Sequence, residues 1–281
     1  MTRTPKARAL GKALRDARED RGMTLRALST VIERNSGVIS RYESGERTPK
    51  PEHVSQILTT LAITGERYDA IMTLAYDTDA PMWVAATLPE QHQQLAAFVE
   101  AEQNATHIAD VSPLLVPGLL QTNEYIRAIM SGGGMPHDEV VRRAAIRIGL
   151  RDIITRQHSP TRFTVFIGEA ALYQLIGGRD VMVAQLRHLL SMVERPNVFL
   201  RIVPFGSGWH PGLEGPFTVV DPEEVAAVVQ VENRKSGIFM HEKDDVALYL
   251  AAVDMVRRVA HGEDESKHLL VRCTKRWETS A

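Results

Sequence analysis

Residues 23–49 read Met-Thr-Leu-Arg-Ala-Leu-Ser-Thr-Val-Ile-Glu-Arg-Asn-Ser-Gly-Val-Ile-Ser-Arg-Tyr-Glu-Ser-Gly-Glu-Arg-Thr-Pro: two short apolar-periodic segments on either side of a polar corner. Thr24 supplies an oxygen to cap a first helix, which carries Leu25, Leu28 and Ile32. Residues 33–35 are polar and form the corner, and Asn35 or Ser36 caps the second helix. Gly45 stands where a left-handed C-cap ends it. On a wheel of about 100° per residue, Val38, Ile39 and Tyr42 share the core side of the second helix. Ser36, Gly37, Ser40, Arg41 and Ser44 share the outer side. Small, polar, with one long cation and no acid, that face can enter a major groove without clashing and without repelling phosphate. The pattern predicts a helix-turn-helix.

The run from Leu28 through Ile39-Ser-Arg-Tyr-Glu-Ser-Gly-Glu-Arg-Thr-Pro49 also resembles the Cro- and lambda-repressor-like regulators of the xenobiotic-response-element (XRE) type, over roughly residues 7–75. The resemblance implies a double-stranded DNA partner and a recognition helix whose base-reaching positions map to Ser36, Gly37 and Arg41. It also implies an internal ion pair, here Arg18 with Glu43. Two positions depart from the family pattern. A phosphate-holding Gln usually opens the first motif helix, and here Leu25 stands there; Gly37 has no side chain with which to read a base.

Working outward, residues 7–21 read as a helix with Leu10, Leu14 and Ala17 on one face. Arg3, Lys6, Arg8, Lys12 and Arg15 make this end basic, and the arm before Leu10 either lies along phosphates or is a disordered tail. Arg47 and Lys50 flank Pro49 in the next turn, placed for backbone contacts more than for base reading. Pro51 starts a helix to about Ala62 with Val54, Ile57, Leu58 and Leu61 inward. A fifth runs from about Gly65 to Tyr76 on Tyr68, Ile71, Met72 and Ala75. Residues 1–76 are thus an all-α, five-helix DNA-binding domain, with Thr24, Ser36, Gly37, Ser40, Arg41, Arg47 and Lys50 as its candidate DNA contacts.

A chain of 281 residues has room for about two domains. No apolar run spans a membrane, the basic N-terminus has no apolar stretch behind it to make a signal peptide, and Cys273 has no partner for a disulfide. A cytoplasmic, nucleoid-associated protein is expected. The net charge of −2 hides an asymmetry: residues 1–50 hold 12 Lys or Arg against 6 Asp or Glu. A basic head on an acidic body suits a polyanion at one end.

Residues 77–89 read as a linker in which Met82, Trp83 and Val84 are apolar enough to dock. A long helix is predicted from Glu90 to Ala109 with Leu95, Phe98, Val99 and Glu102 on one side. Residues 163–167, 198–203, 217–220 and 225–231 read as strands, with 236–240 as a further one. Helices are predicted at 122–130, 138–156, 169–176, 180–194, 244–261 and 264–278. Residues 90–281 are therefore expected to be an α+β domain with a mixed sheet.

This half carries Pro113-Leu-Leu-Val-Pro-Gly-Leu-Leu-Gln-Thr-Asn-Glu-Tyr125, Gln185-Leu-Arg-His-Leu-Leu190, Glu194-Arg-Pro-Asn-Val198 and Val203-Pro-Phe205, followed by His210-Pro-Gly212 and Gly215-Pro-Phe217. In order and spacing these resemble the C-terminal domain of WhiJ-like regulators of actinomycete bacteria. The resemblance implies an antitoxin-like transcriptional regulator whose partner is a small acidic protein encoded in an adjacent gene.

The Pro113–Gln121 turn is either a partner contact or an internal corner. In the glycine-rich loop 205–217, Trp209 and His210 are candidates to line a pocket with Glu214 near, and Trp209 is expected to anchor the loop. Ser207 has Phe205 and Trp209 where the glycines of a nucleophile elbow belong, and Ser131-Gly-Gly-Gly134 lacks the Lys of a phosphate cradle. His241-Glu242 lacks a second His at metal spacing, and Cys273 reads as incidental. No enzyme, metal or cofactor is expected. The leading reading is a sequence-specific, homodimeric DNA-binding transcriptional regulator. The alternative is a small-molecule sensor that uses the 205–217 loop, with the DNA-binding head as output.

Overall fold

The computed structural model describes residues 4–76, 78, 80, 82–84, 88–222, 226–232 and 237–279. Five helices open the chain: α1 (Pro5–Asp20), α2 (Leu25–Val31), α3 (Ser36–Glu43), α4 (Pro51–Thr60) and α5 (Glu66–Ala75). Their starts are written in side chains. Thr4, Thr24 and Asn35 each accept a hydrogen bond from a backbone N–H of the following turn, and Pro51 occupies the first turn of α4. Leu10 and Leu14 of α1, Leu28 of α2, Ile39 and Tyr42 of α3, Ile57 and Leu58 of α4 and Leu74 of α5 close one core. The first helix begins at Pro5, so the expected arm before Leu10 is helical from there. Arg3 lies outside the described residues.

The rest of the chain is α+β. It contains β1 (Met82–Val84), α6 (Leu88–Gln103), β2 (Ala105–Ser112), α7 (Asn123–Gly132), α8 (His137–Leu150), α9 (Asp152–Thr155), β3 (Arg162–Gly168), α10 (Arg179–Met192) and β4 (Val198–Val203). It closes with β5 (Phe217–Pro222), β6 (Val228–Glu232), β7 (Gly237–Met240), α11 (Lys243–Val259) and α12 (Glu263–Thr279). By compactness the chain falls into two units, residues 1–101 with 224–246, and residues 102–223 with 247–281, a division that differs from the expected cuts at 76 and 90.

In the first unit, β1 runs antiparallel to β7 (Trp83 opposite Phe239), and β7 antiparallel to β6 (Phe239 opposite Gln230). The expected linker therefore holds a strand at 82–84, while 77, 79, 81 and 85–87 lie outside the described residues. Phe239 packs against Trp83 and Phe98, with ring centroids 5.9 and 5.6 Å away. Buried Gln94 of α6 locks the ladder by donating from Nε2 to the carbonyls of Trp83 (2.6 Å) and Gly237 (3.1 Å). The expected strand starts at 225 and 236 are also outside the described residues.

In the second unit the order is β5-β2-β3-β4, with β2, β3 and β4 parallel and β5 antiparallel to β2. The predicted helix to Ala109 is corrected: α6 ends at Gln103, and β2 occupies 105–112 at the middle of this ladder. Its polar residues are satisfied across the strands. His107 Nε2 lies 3.0 Å from Thr164 Oγ1, and Thr218 donates to Asp110 at 3.4 Å. The predicted helix 169–176 shrinks to a 3-10 turn, Glu169–Leu172.

The Pro113–Gln121 turn is an internal corner. Val116, Leu119, Leu120 and Gln121 are buried, although Leu114 and Leu115 remain exposed. Fully buried Gln185 of α10 clamps it, accepting from Thr122 N–H at 2.7 Å and donating to the Leu120 carbonyl at 2.7 Å. Gln121 Nε2 donates to the Val116 carbonyl, and the Tyr125 hydroxyl accepts from the Val116 N–H.

Candidate nucleic-acid interface

The corner between α2 and α3 turns at Glu33, whose φ of 53° puts a non-glycine residue in the left-handed region. Asn35 then accepts from Gly37 N–H at 2.8 Å and sets the start of α3. Gly45, with φ of 70°, turns the chain away after the last turn.

Between these limits α3 has two different sides. Ile39, Tyr42 and Glu43 are buried. Gly37, Ser40 and Arg41 are exposed, and Ser36, Val38 and Ser44 are half-buried. Tyr42 leans on α4, its hydroxyl 3.3 Å from His53 Nδ1. Burial, helped by the Arg34 charge, pushes the His53 imidazole below its ordinary value, which favours the neutral ring at this contact.

The Arg18–Glu43 pair fixes α3 from behind. Arg18 is 7 % and Glu43 5 % exposed. The Arg18 Nε and Nη2 reach the two Glu43 oxygens at 2.6 and 2.8 Å, and Nη1 donates to the Met23 carbonyl at 2.8 Å. This hydrogen bonding to Glu43 raises the guanidinium pKa further. One bidentate pair thus ties α1, the entry to α2 and the end of α3 into a single geometry.

The basic head is not all displayed to solvent partners. Arg18 is consumed inside, Arg15 Nε stands 3.7 Å from Glu43, and Lys12 stands 3.7 Å from Glu100. Lys50 faces Glu52 at 3.8 Å, both well exposed, a pairing of little energetic weight. Arg41 carries no ion pair among the described residues, and Arg41 and Arg47 are exposed. The two are linked through the backbone, Arg47 N–H donating to the Arg41 carbonyl at 3.0 Å. Thr24 is exposed with its oxygen already accepting from Ala27 N–H, which leaves the hydroxyl proton to donate elsewhere. Arg26, in the first turn of α2, is exposed too. The sequence reading passed over it because it lies off the apolar stripe that defined the helix.

The 205–217 loop differs from expectation. Trp209 is 63 % exposed, does not anchor the loop and is not among the residues lining the cavity beside it, and Glu214 is exposed as well. His210 is 5 % exposed and does line a cavity of about 270 Å³, together with residues from the ends of β2, β3 and β4. No group of three or more His, Cys, Asp or Glu able to hold a metal occurs among the described residues. No helix among them is long and apolar enough to cross a membrane.

The capped α2–corner–α3 unit on a five-helix core defines a helix-turn-helix protein, and a helix-turn-helix domain is a DNA-binding domain. Comparison with family models agrees: residues 9–71 match a helix-turn-helix domain. Residues 95–272, more than half of the chain, match a domain of unknown function (DUF5753), and the chain belongs to that family. Comparison with curated proteins finds no match.

Proposed function

We propose that this protein is a sequence-specific DNA-binding transcriptional regulator that reads duplex DNA with α3. The observation that carries the reading is the outer face of α3, where exposed Arg41, without an ion pair among the described residues, stands beside Ser40 and Gly37 on a helix held rigid from behind by Arg18 and Glu43. In the major groove Arg41 donates to guanine O6 and N7, while Ser36 and Ser40 add single hydrogen bonds. Arg47, Lys50 and Thr24 position the domain on phosphates. Gly37 reads nothing but lets the backbone approach closely.

One eight-residue helix with one long side chain specifies few base pairs. The protein therefore acts as a homodimer on two half-sites about 34–36 Å apart, supplementing base contacts with DNA shape. The resemblance of the C-terminal half to WhiJ-like, antitoxin-like regulators supports a role for that half in self-association and in binding a small acidic protein. On this reading the chain is a binding protein to which no catalytic step is assigned.

Selection of bound duplexes from a random pool by the full-length protein tests the reading. The expected product is a palindromic or repeated motif, whose spacing gives the dimer geometry. Bound DNA with no enriched sequence would overturn it.

A further inference from the structure

Three parallel strands end side by side at Ser112, Gly168 and Val203. The loop after each contributes to the same cavity: Pro113 and Leu114 after β2, Glu169 and Ala170 after β3, and residues 204–208 after β4. The carboxyl ends of parallel strands are where open α/β sheets receive their ligands, because the loops there diverge and leave a crevice. The floor is apolar. Val111 and Phe166 are register partners on one face of the sheet, and Val203 continues that face. The rim holds Leu114, Phe205 and Leu213, three large apolar side chains that are all exposed.

Three polar side chains interrupt this lining: Glu169, His210 and the half-buried Ser207. Glu169 is the one acidic residue in it, and its carboxylate accepts from the Phe205 N–H at 2.9 Å. His210 is buried, and its Nδ1 has no hydrogen-bond partner among the described residues. Burial lowers its basicity, so the ring is neutral at neutral pH. A neutral imidazole presents one donor and one acceptor; of the buried side-chain atoms without a partner among the described residues, His210 Nδ1 belongs to a residue that lines this cavity.

We infer that the cavity at the carboxyl ends of β2, β3 and β4 is a binding site for a small, uncharged, largely apolar molecule whose single polar group hydrogen-bonds His210. At about 270 Å³ the space lies just under the range of roughly 300–1,000 Å³ typical of drug-sized ligands, so the molecule is of one- or two-ring size. Anions are excluded, since the lining offers a carboxylate and no cation. The site does not rest on the DNA-binding reading.

The test uses full-length protein without DNA, so its outcome is separate from that of the DNA selection. Indole, 4-methylphenol and cyclohexanol are titrated by calorimetry and by ligand-observed NMR, with indole-3-carboxylate as the anionic control. At least one uncharged probe is expected to bind saturably, and the carboxylate at least tenfold more weakly than indole. Ala170→Trp, which fills the cavity, is expected to abolish binding, and His210→Ala to weaken it at least fivefold. Thermal melting establishes that each variant is folded. Should Ala170→Trp fail to fold, Leu213→Asp serves in its place: Leu213 is exposed, and a second negative charge on the rim is expected to cut affinity for indole at least threefold. Absence of saturable binding by all three uncharged probes overturns the inference. So does binding that survives both the cavity and the His210 variants, or equal affinity for the carboxylate.

Discussion

Arg18 grips Glu43 with two parallel hydrogen bonds, of 2.6 and 2.8 Å, across 25 residues of sequence and from behind the helix proposed to read DNA. Removing one partner of a buried pair strands the other charge, at a cost of about 3–5 kcal/mol. Glu43→Gln is therefore expected to lower the stability of the N-terminal helices by that order and to weaken DNA binding through misplacement of α3. Arg18→Met combined with Glu43→Leu is expected to recover most of the stability, because a packed apolar pair needs no desolvation of charge. Urea unfolding of the two variants beside the wild type checks this. Equal stability of Glu43→Gln and the wild type would sink the account.

Gly11 of α1 sits against the same end of α3. A Cβ there would stand 2.6 Å from the Tyr42 carbonyl oxygen and 2.7 Å from that of Glu43. In an open helix, Gly→Ala gains about 1 kcal/mol of helix propensity. Here backbone must move instead, so Gly11→Ala is expected to destabilise by about 1–3 kcal/mol. A stability gain in denaturant titration would show that α1 and α3 do not approach this closely.

Gln185 offers the corresponding test in the second unit. Its amide satisfies Thr122 N–H and the Leu120 carbonyl and has no exposure to water. Gln185→Leu keeps the volume and orphans both backbone groups, at about 1–3 kcal/mol each. A midpoint shift corresponding to roughly 2–5 kcal/mol is expected, and an unchanged midpoint would mean that the corner closes without the clamp.

These residues also mark how far the sequence could be read. The α2–α3 unit was legible because its signals are local: Thr24, Asn35 and Gly45 act within a few residues of where they stand, and Leu28, Ile39 and Tyr42 keep the helical period. Strand β2 was not legible. It is largely buried on both faces, so the alternation that betrays a strand is missing, and its His107 and Asp110 find hydrogen-bond partners across the sheet, on Thr164 and Thr218. The cavity assembles Pro113, Glu169 and Phe205 from loops far apart in the chain. Trp209 was misjudged because composition does not say which way an aromatic side chain points. Trp209→Ala, at a residue 63 % exposed, is expected to change stability by less than about 0.5 kcal/mol.

The pH dependence of stability follows from His188 of α10. Burial first, and the Arg151 charge second, push its pKa down to about 4, and its buried Nε2 has no partner. The unfolded ring takes up a proton near its ordinary value of about 6.5, while the folded one stays neutral. Stability is therefore unaffected above that value, falls as the pH drops from about 6.5 towards 4, and loses no more below it. The loss from this residue is at most about 3 kcal/mol. His53, His107, His210 and His241 shift in the same direction, so the readout is a difference between two proteins. Wild type is expected to lose more stability than His188→Gln between pH 7.5 and 4.5, and parallel losses would refute the assignment.

Arg41 separates base reading from simple attraction to phosphate. If it donates to a guanine, Arg41→Ala removes about 1–3 kcal/mol of discrimination at one base pair of each half-site, a loss of roughly five- to 150-fold in preference. Binding to unrelated duplexes is expected to persist, with its salt dependence nearly intact, because the phosphate contacts remain. Arg47→Ala and Lys50→Ala are expected to do the reverse: each weakens every duplex alike and lowers the slope of log affinity against log salt by about 0.9. Arg41 is exposed and carries no ion pair among the described residues, so its removal leaves folding unchanged and the comparison clean. The measurement is a salt titration of selected and scrambled duplexes against the three variants. If Arg41→Ala weakens both duplexes equally and lowers the slope, Arg41 is a phosphate contact, and the specificity of α3 must come from its serines and from DNA shape.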